Sequence, residues 1–91
     1  MIGNLDVGTA KVISATANIK ATQGAILGIW VSSVSVLPTI AVYDSATTTT
    51  TLPIASTFTP VAATFYPIPA AFANGLYVVI GATVSCTIIY V

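Results

Sequence analysis

From Ser45 to Val91 no side chain carries a formal charge. Residues 72–91, FANGLYVVIGATVSCTIIYV, offer hydroxyls, one amide and one thiol as their only polar side-chain groups. Such a stretch has two outlets: it enters a membrane, or it folds so that its surface is covered. A transmembrane helix needs about 20 mainly apolar residues, and a mean hydropathy of +1.01 keeps that outlet open. The residue types argue against it. Asn74-Gly75 is turn chemistry, and Gly81 interrupts the run again. The residues between are Tyr, Val, Ile and Thr, which suit a pleated, half-buried surface. Residues 83–88 alternate polar and apolar, the period of a strand. The stretch therefore reads as two strands, 76–80 and 82–91, with Gly81 at a tight turn or bulge. A membrane barrel built from one chain needs at least about eight strands of about ten residues, which leaves 91 residues almost nothing for turns.

In the second of these strands Val84, Cys86, Ile88 and Tyr90 share one face, and Thr83, Ser85 and Thr87 the other. Cys86 falls on the apolar side and reads as a small buried hydrophobe. A reactive thiol wants a basic or helix-N-terminal neighbourhood, and the chain has no histidine to supply one.

Charge is scarce along the whole chain. Charged residues make up 4%, against about 25% in ordinary soluble domains. The net charge is zero, so nothing electrostatic opposes association. A chain of this length, folding alone, buries only about 60–65% of its unfolded surface. The usual remedies are disulfides, a metal or oligomerisation. One cysteine excludes an intrachain disulfide. The acids Asp6 and Asp44, without histidine or glutamate, assemble no metal cluster in one chain. Oligomerisation remains, and much of the outer surface is expected to be covered by other protein. There is no basic patch, so neither nucleic acid nor anionic lipid has an electrostatic footing. MIGNLDVG lacks the basic and long apolar regions of a secretory leader.

Catalysis lacks its parts as well. General acid–base chemistry needs a placed titratable pair, and a nucleophilic Ser or Thr needs an activating base. No Gly-rich phosphate loop follows a strand. No enzyme and no cofactor are expected.

Residues 1–8 hold two glycines and no clear period, and read as an N-terminal arm before a single domain over 9–91. Residues 9–20 alternate: Ile13, Ala15, Ala17 and Ile19 face one way, Ser14, Thr16, Asn18 and Lys20 the other, a strand with one wet face. A turn at 21–24 leads to a more buried strand over 25–34. There Ala25, Leu27, Ile29 and Val31 make one face, and Ile26, Gly28, Trp30 and Ser32 the other. Trp30 is a core aromatic, an interface anchor or a carbohydrate-stacking residue. Pro38 opens a strand through TIAVYD. Asp44-Ser45 closes it with side chains suited to a turn; with no second acid nearby, the turn outweighs a calcium ligand. TTTTT at 47–51 is an exposed loop or an edge segment. Strand candidates at 52–57 and 61–66 are punctuated by Pro53, Pro60, Pro67 and Pro69, which places them at the rim of a sheet. FYPIPAAF at 65–72 reads as an ordered crossing loop. Seven or eight short strands with no helical period predict an all-β fold, a small antiparallel β-sandwich or barrel.

Three segments carry a resemblance: IAVYDSATTTTTLPIA at 40–55, FANGLYVVIGATVSCTIIYV at 72–91, and AILGIWV at 25–31. Their order is similar to small jelly-roll β-sandwich proteins of tailed-bacteriophage structural gene clusters, among them capsid decoration or cement proteins. Related sandwiches also occur in tails and fibres. The resemblance implies a homo-oligomer, a trimer by preference, on the surface of a virion capsid. Its base and N-terminal arm would hold the major capsid protein or another virion protein. It carries no fixed functional motif. The candidate contact residues are Ile2 and Leu5 in the arm, Trp30, and Phe65, Tyr66, Pro67 and Phe72. The competing expectations are a tail, fibre or baseplate part, a glycan-binding module using Trp30 and the tyrosines, and a membrane-associated oligomer.

Overall fold

Eight strands make up the regular structure of residues 8–91, the part of the chain that the computed structural model describes. They are β1 (Thr9–Ile13), β2 (Ala17–Lys20), β3 (Gly24–Val34), β4 (Thr39–Asp44), β5 (Pro53–Phe58), β6 (Thr64–Phe72), β7 (Leu76–Gly81) and β8 (Val84–Tyr90). Ile2, Leu5 and Asp6, with the rest of the expected arm before Gly8, lie outside the described residues.

The strands form two antiparallel four-stranded sheets, ordered β1-β8-β3-β6 and β2-β7-β4-β5. First pairs with last, second with seventh, third with sixth and fourth with fifth. The chain is thus one long hairpin, with the β4–β5 connection at its tip, wound into two layers: a jelly-roll sandwich. Every connection except β4–β5 carries the chain from one sheet to the other. The β-branched and aromatic residues that fill the strands favour this pleated surface.

That crossing rule revises several sequence expectations. Residues 9–20 are two strands in different sheets, because the chain turns a corner at 14–16. The Thr16 hydroxyl fixes the corner, accepting from the Ile80 amide at 2.9 Å and donating to the Ile80 carbonyl at 3.3 Å. Likewise β7 and β8 do not form a hairpin. β7 pairs with β2 and β4, and β8 with β1 and β3. The left-handed residue between them is Ala82, with φ 60°; Gly81 ends β7. Residues 65–72 belong to an edge strand rather than a crossing loop. A strand bonded on one side only tolerates Pro67 and Pro69, and its side chains alternate between half-buried and exposed up to buried Phe72. In β3 a register shift between Ile26 and Gly28 turns Ile26 inward, on the side of Ile29 and Val31 and away from Trp30.

The core lies between the sheets. Ile26, Ile29, Val31, Val84, Cys86 and Ile88 come from one; Ile40, Val42, Leu76 and Val78 come from the other. Cys86 sits in this layer, and burial pushes its thiol up to about 11. The thiolate is the reactive form, so a disulfide reagent at neutral pH is expected to leave the native protein unmodified. Labelling should follow the rate at which the core opens; fast labelling of the native protein would place Cys86 outside the core. The uncharged run 72–91 is accounted for by β7 and β8, and no helix among the described residues is long and apolar enough to cross a membrane.

Candidate functional site

Three charged side chains fall within the described residues, and all stand at the rim of the sandwich. Lys11 is paired with buried Ile88 in edge strand β1, which sets its side chain on the inner side at the open edge. Lys20 ends edge strand β2, and its Nζ reaches across to the main-chain oxygen of Val91 at 3.2 Å. Asp44 ends β4. Its Oδ2 accepts from the amide of Ala73 at 3.0 Å, and its Oδ1 from the amides of Asn74 at 2.8 Å and Gly75 at 3.3 Å. The carboxylate thereby clamps the turn that returns the chain from β6 to β7. The hydroxyl of Ser45 acts likewise one residue on, accepting from the amides of Thr47 and Thr49. The Thr-rich segment lies in the exposed loop that follows.

The bond from Ala73, above all, holds the Asp44 carboxyl below its ordinary value of 3.8. A lowered carboxylate stabilises the fold at pH above its unfolded value, and that contribution disappears as pH falls through the folded value. Asp44→Asn is therefore expected to lose about 1 kcal/mol at neutral pH, the scale of solvent-accessible charged hydrogen bonds. The gap in melting temperature between wild type and variant should hold from pH 7 to about 5 and close below about pH 4. A gap independent of pH would remove the clamp.

With these three charges at the rim, the described residues place no charge on either broad face of the sandwich. The two faces are not alike. The outer face of β2-β7-β4-β5 carries Tyr43 and Tyr77, half-buried with ring centroids 6.3 Å apart, and contributes no exposed large hydrophobic residue. The outer face of β1-β8-β3-β6 carries three. Register aligns them: Val12 lies opposite Thr87, Thr87 opposite Trp30, and Trp30 opposite Phe65. The result is one row across all four strands. Val12 is 71% exposed, Trp30 40% and Phe65 45%. The Phe65 ring lies over Gly28, where a Cβ would come within 2.7 Å of its Cε1. Pro67 follows on the same side, opposite Gly28.

The structure thus brings Trp30, Phe65 and Pro67 together and sends the other described candidates inward. Phe72 is buried in the core. Tyr66 is half-buried, its ring 5.1 Å from that of Phe58, and its hydroxyl accepts from the amide of Val61 at 2.8 Å. Alternation along β6 separates the two sets. Sequence reasoning missed Val12. It stands next to Ile13 in the strand, and a two-residue period would have set it outward.

A second apolar surface lies at one end. The connections 14–16, 35–38, 59–63 and 82–83 alternate with the others along the antiparallel chain and so share an end. Ser35 and Thr83 tie two of them together, amide of Thr83 to hydroxyl of Ser35 at 2.9 Å and amide of Ser35 to carbonyl of Thr83 at 2.8 Å. This end exposes Val36, Leu37 and Val61. It also holds the three left-handed non-glycine residues among the described residues, Leu37, Ala63 and Ala82. Leu37 was hidden in the apolar run before Pro38.

The recess of about 600 Å³ beside Asp44 is lined by Gln23, Gly24, Ala71, Phe72 and Ala73 and holds no second acid or base. No group of three His, Cys, Asp or Glu residues converges among the described residues. Comparison with known proteins gives no matching family model, no matching curated protein and no matching solved structure.

Proposed function

We propose that this chain is a non-enzymatic structural protein of a virion, a capsid decoration or cement protein that acts as an oligomer on a head lattice. The observation that carries the reading is the confinement of charge to the rim. Among the described residues both broad faces are uncharged, and one presents an aligned apolar row. Burying such a surface contributes about 25 cal/mol per Å² before association costs. Many weak contacts on one lattice add through multivalency. The apolar end, with Val36, Leu37 and Val61, is the surface offered to the shell. The jelly-roll order fits the family that the sequence resembles.

Two measurements test the reading. The first is copy number in particles that carry the chain: hundreds per particle mark a cement protein, and a few mark a tail or baseplate part. The second is a salt wash. At about 1 M salt the Debye length is about 3 Å, and exposed charge pairs are screened. A protein held by apolar contacts stays on the particle. Release by salt would overturn the apolar account.

A further inference from the structure

We infer that the outer face of the β1-β8-β3-β6 sheet is the contact between two copies of this chain, packed face to face across a two-fold axis. The inference rests on the assembly reading above and names its surface and partner.

The edges of the sheets are closed to the alternative, strand-to-strand pairing. Exposed edges are natural templates for another chain, and proteins blunt them with prolines, inward charges, irregular register and short strands. All four edges here carry such a device. β6 has Pro67 and Pro69, two donors lost from the same side of one strand. β5 begins at Pro53 and shifts register twice against β4. β2 is four residues long, shifts register, and ends in Lys20. β1 carries Lys11 at an inward position. The chain has only two lysines, and both stand in edge strands. Association is thereby directed to the faces.

Of the two faces, this one fits itself. The row through Val12, Trp30 and Phe65 is a ridge, and exposed small residues flank it: Ser32 on the strand of Trp30 and Ala10 on that of Val12. A copy turned by a two-fold axis lays its ridge beside the first, over the low flank. This is an isologous contact, with the same patch on both sides. Among the described residues the face is uncharged, so a copy meeting itself incurs no like-charge penalty from them. Four strands about 4.8 Å apart and about 20 Å long give about 400 Å² in plan on each copy. That lies below the usual range of stable specific interfaces, among weak and transient contacts, so the pair should dissociate on dilution. A two-fold contact yields dimers and not the trimer that the resemblance implies.

Trp30 is the only tryptophan, so its emission reports directly on this face. The test is sedimentation of the full chain over a dilution series in detergent-free buffer, with emission recorded on the same samples. A dimer mass at high concentration, with emission shifting red in step with dissociation, is the expected result. Val12→Lys, at an exposed position whose unfolding midpoint should be unchanged, is expected to raise the dissociation constant at least tenfold. Lys11→Thr, on the edge, is expected to leave the dimer in place. Several results would overturn the inference. In one, a dimer forms whose emission ignores dilution, or which Val12→Lys does not weaken. In another, Lys11→Thr alone changes the mass. A discrete trimer would exclude the two-fold contact. A monomer at every concentration would exclude self-pairing; if removing residues 1–7 then shifts its emission red, the chain's own arm covers the face. In each case the copy number in particles decides the assembly reading separately.

Discussion

Replacing Gly75 with alanine should remove at least about 3 kcal/mol of stability, a large part of the 5 to 15 kcal/mol that holds a domain together. Where a Cβ would stand there are three main-chain atoms: the carbonyl oxygen of Lys20 at 2.5 Å, that of Ser45 at 2.6 Å and the Cα of Ala46 at 2.8 Å. No side-chain rotation relieves contacts with backbone. Gly75 is where the end of β2, the loop after β4 and the turn into β7 meet. Its carbonyl accepts from the amide of Ser45 at 3.2 Å, and its amide donates to Asp44. Moving any of the three segments would break that set. At about 4–8 °C per kcal/mol for a domain of this size, the melting temperature should fall by more than about 12 °C. Thermal unfolding of Gly75→Ala beside Asn74→Ala checks this. Asn74 contributes its amide to Asp44 and should lose far less. Equal midpoints would show that the junction yields.

Gly75 also marks how far the sequence could be read. Asn74-Gly75 announces a turn, and a turn stands there. What demands glycine is the approach of two other segments, which are distant in sequence. The same division holds elsewhere. Two-residue alternation placed Val84, Cys86 and Ile88 inside and identified the strand over 25–34, while Pro38 and Asp44-Ser45 marked the ends of the strand over 39–44. Alternation is blind to which sheet a strand joins. It ran straight through the corner at 14–16, where Thr16 bonds Ile80 across a separation set by topology alone. It also placed Ile26 beside Trp30, because a register shift leaves no trace in the pattern. Proline signalled an edge correctly for 65–72 yet suggested a loop, since an edge strand and a loop both do without one row of donors. Among the candidate contacts, the aromatics of FYPIPAAF were visible as a group. Only the pleat of β6 decided that Phe65 and Pro67 face out while Tyr66 and Phe72 face in.

Adjacent residues of β3 then separate folding from assembly. Ile29 is fully buried, and its neighbours across the sheet are Tyr66 and Ile88. Ile29→Ala deletes three carbons from a close-packed layer and should cost about 2–5 kcal/mol. A lowered midpoint in urea, with an unchanged slope, would show it. Trp30 points the opposite way, and its contacts within one copy are the cross-strand pairs with Phe65 and Thr87. Such pairs contribute about 0.2–1 kcal/mol each, so Trp30→Ala should lower the stability of the monomer by about 1 kcal/mol. Its larger effect should be on association, because buried aromatic anchors dominate contact energies. The expected pattern is a double dissociation. The Ile29 variant, in the fraction still folded, pairs at wild-type concentration, and the Trp30 variant folds but stays monomeric. If Trp30→Ala unfolds the chain as severely as Ile29→Ala, the ridge belongs to the fold and not to assembly. The apolar surface available to a partner would then reduce to the end formed by Val36, Leu37 and Val61.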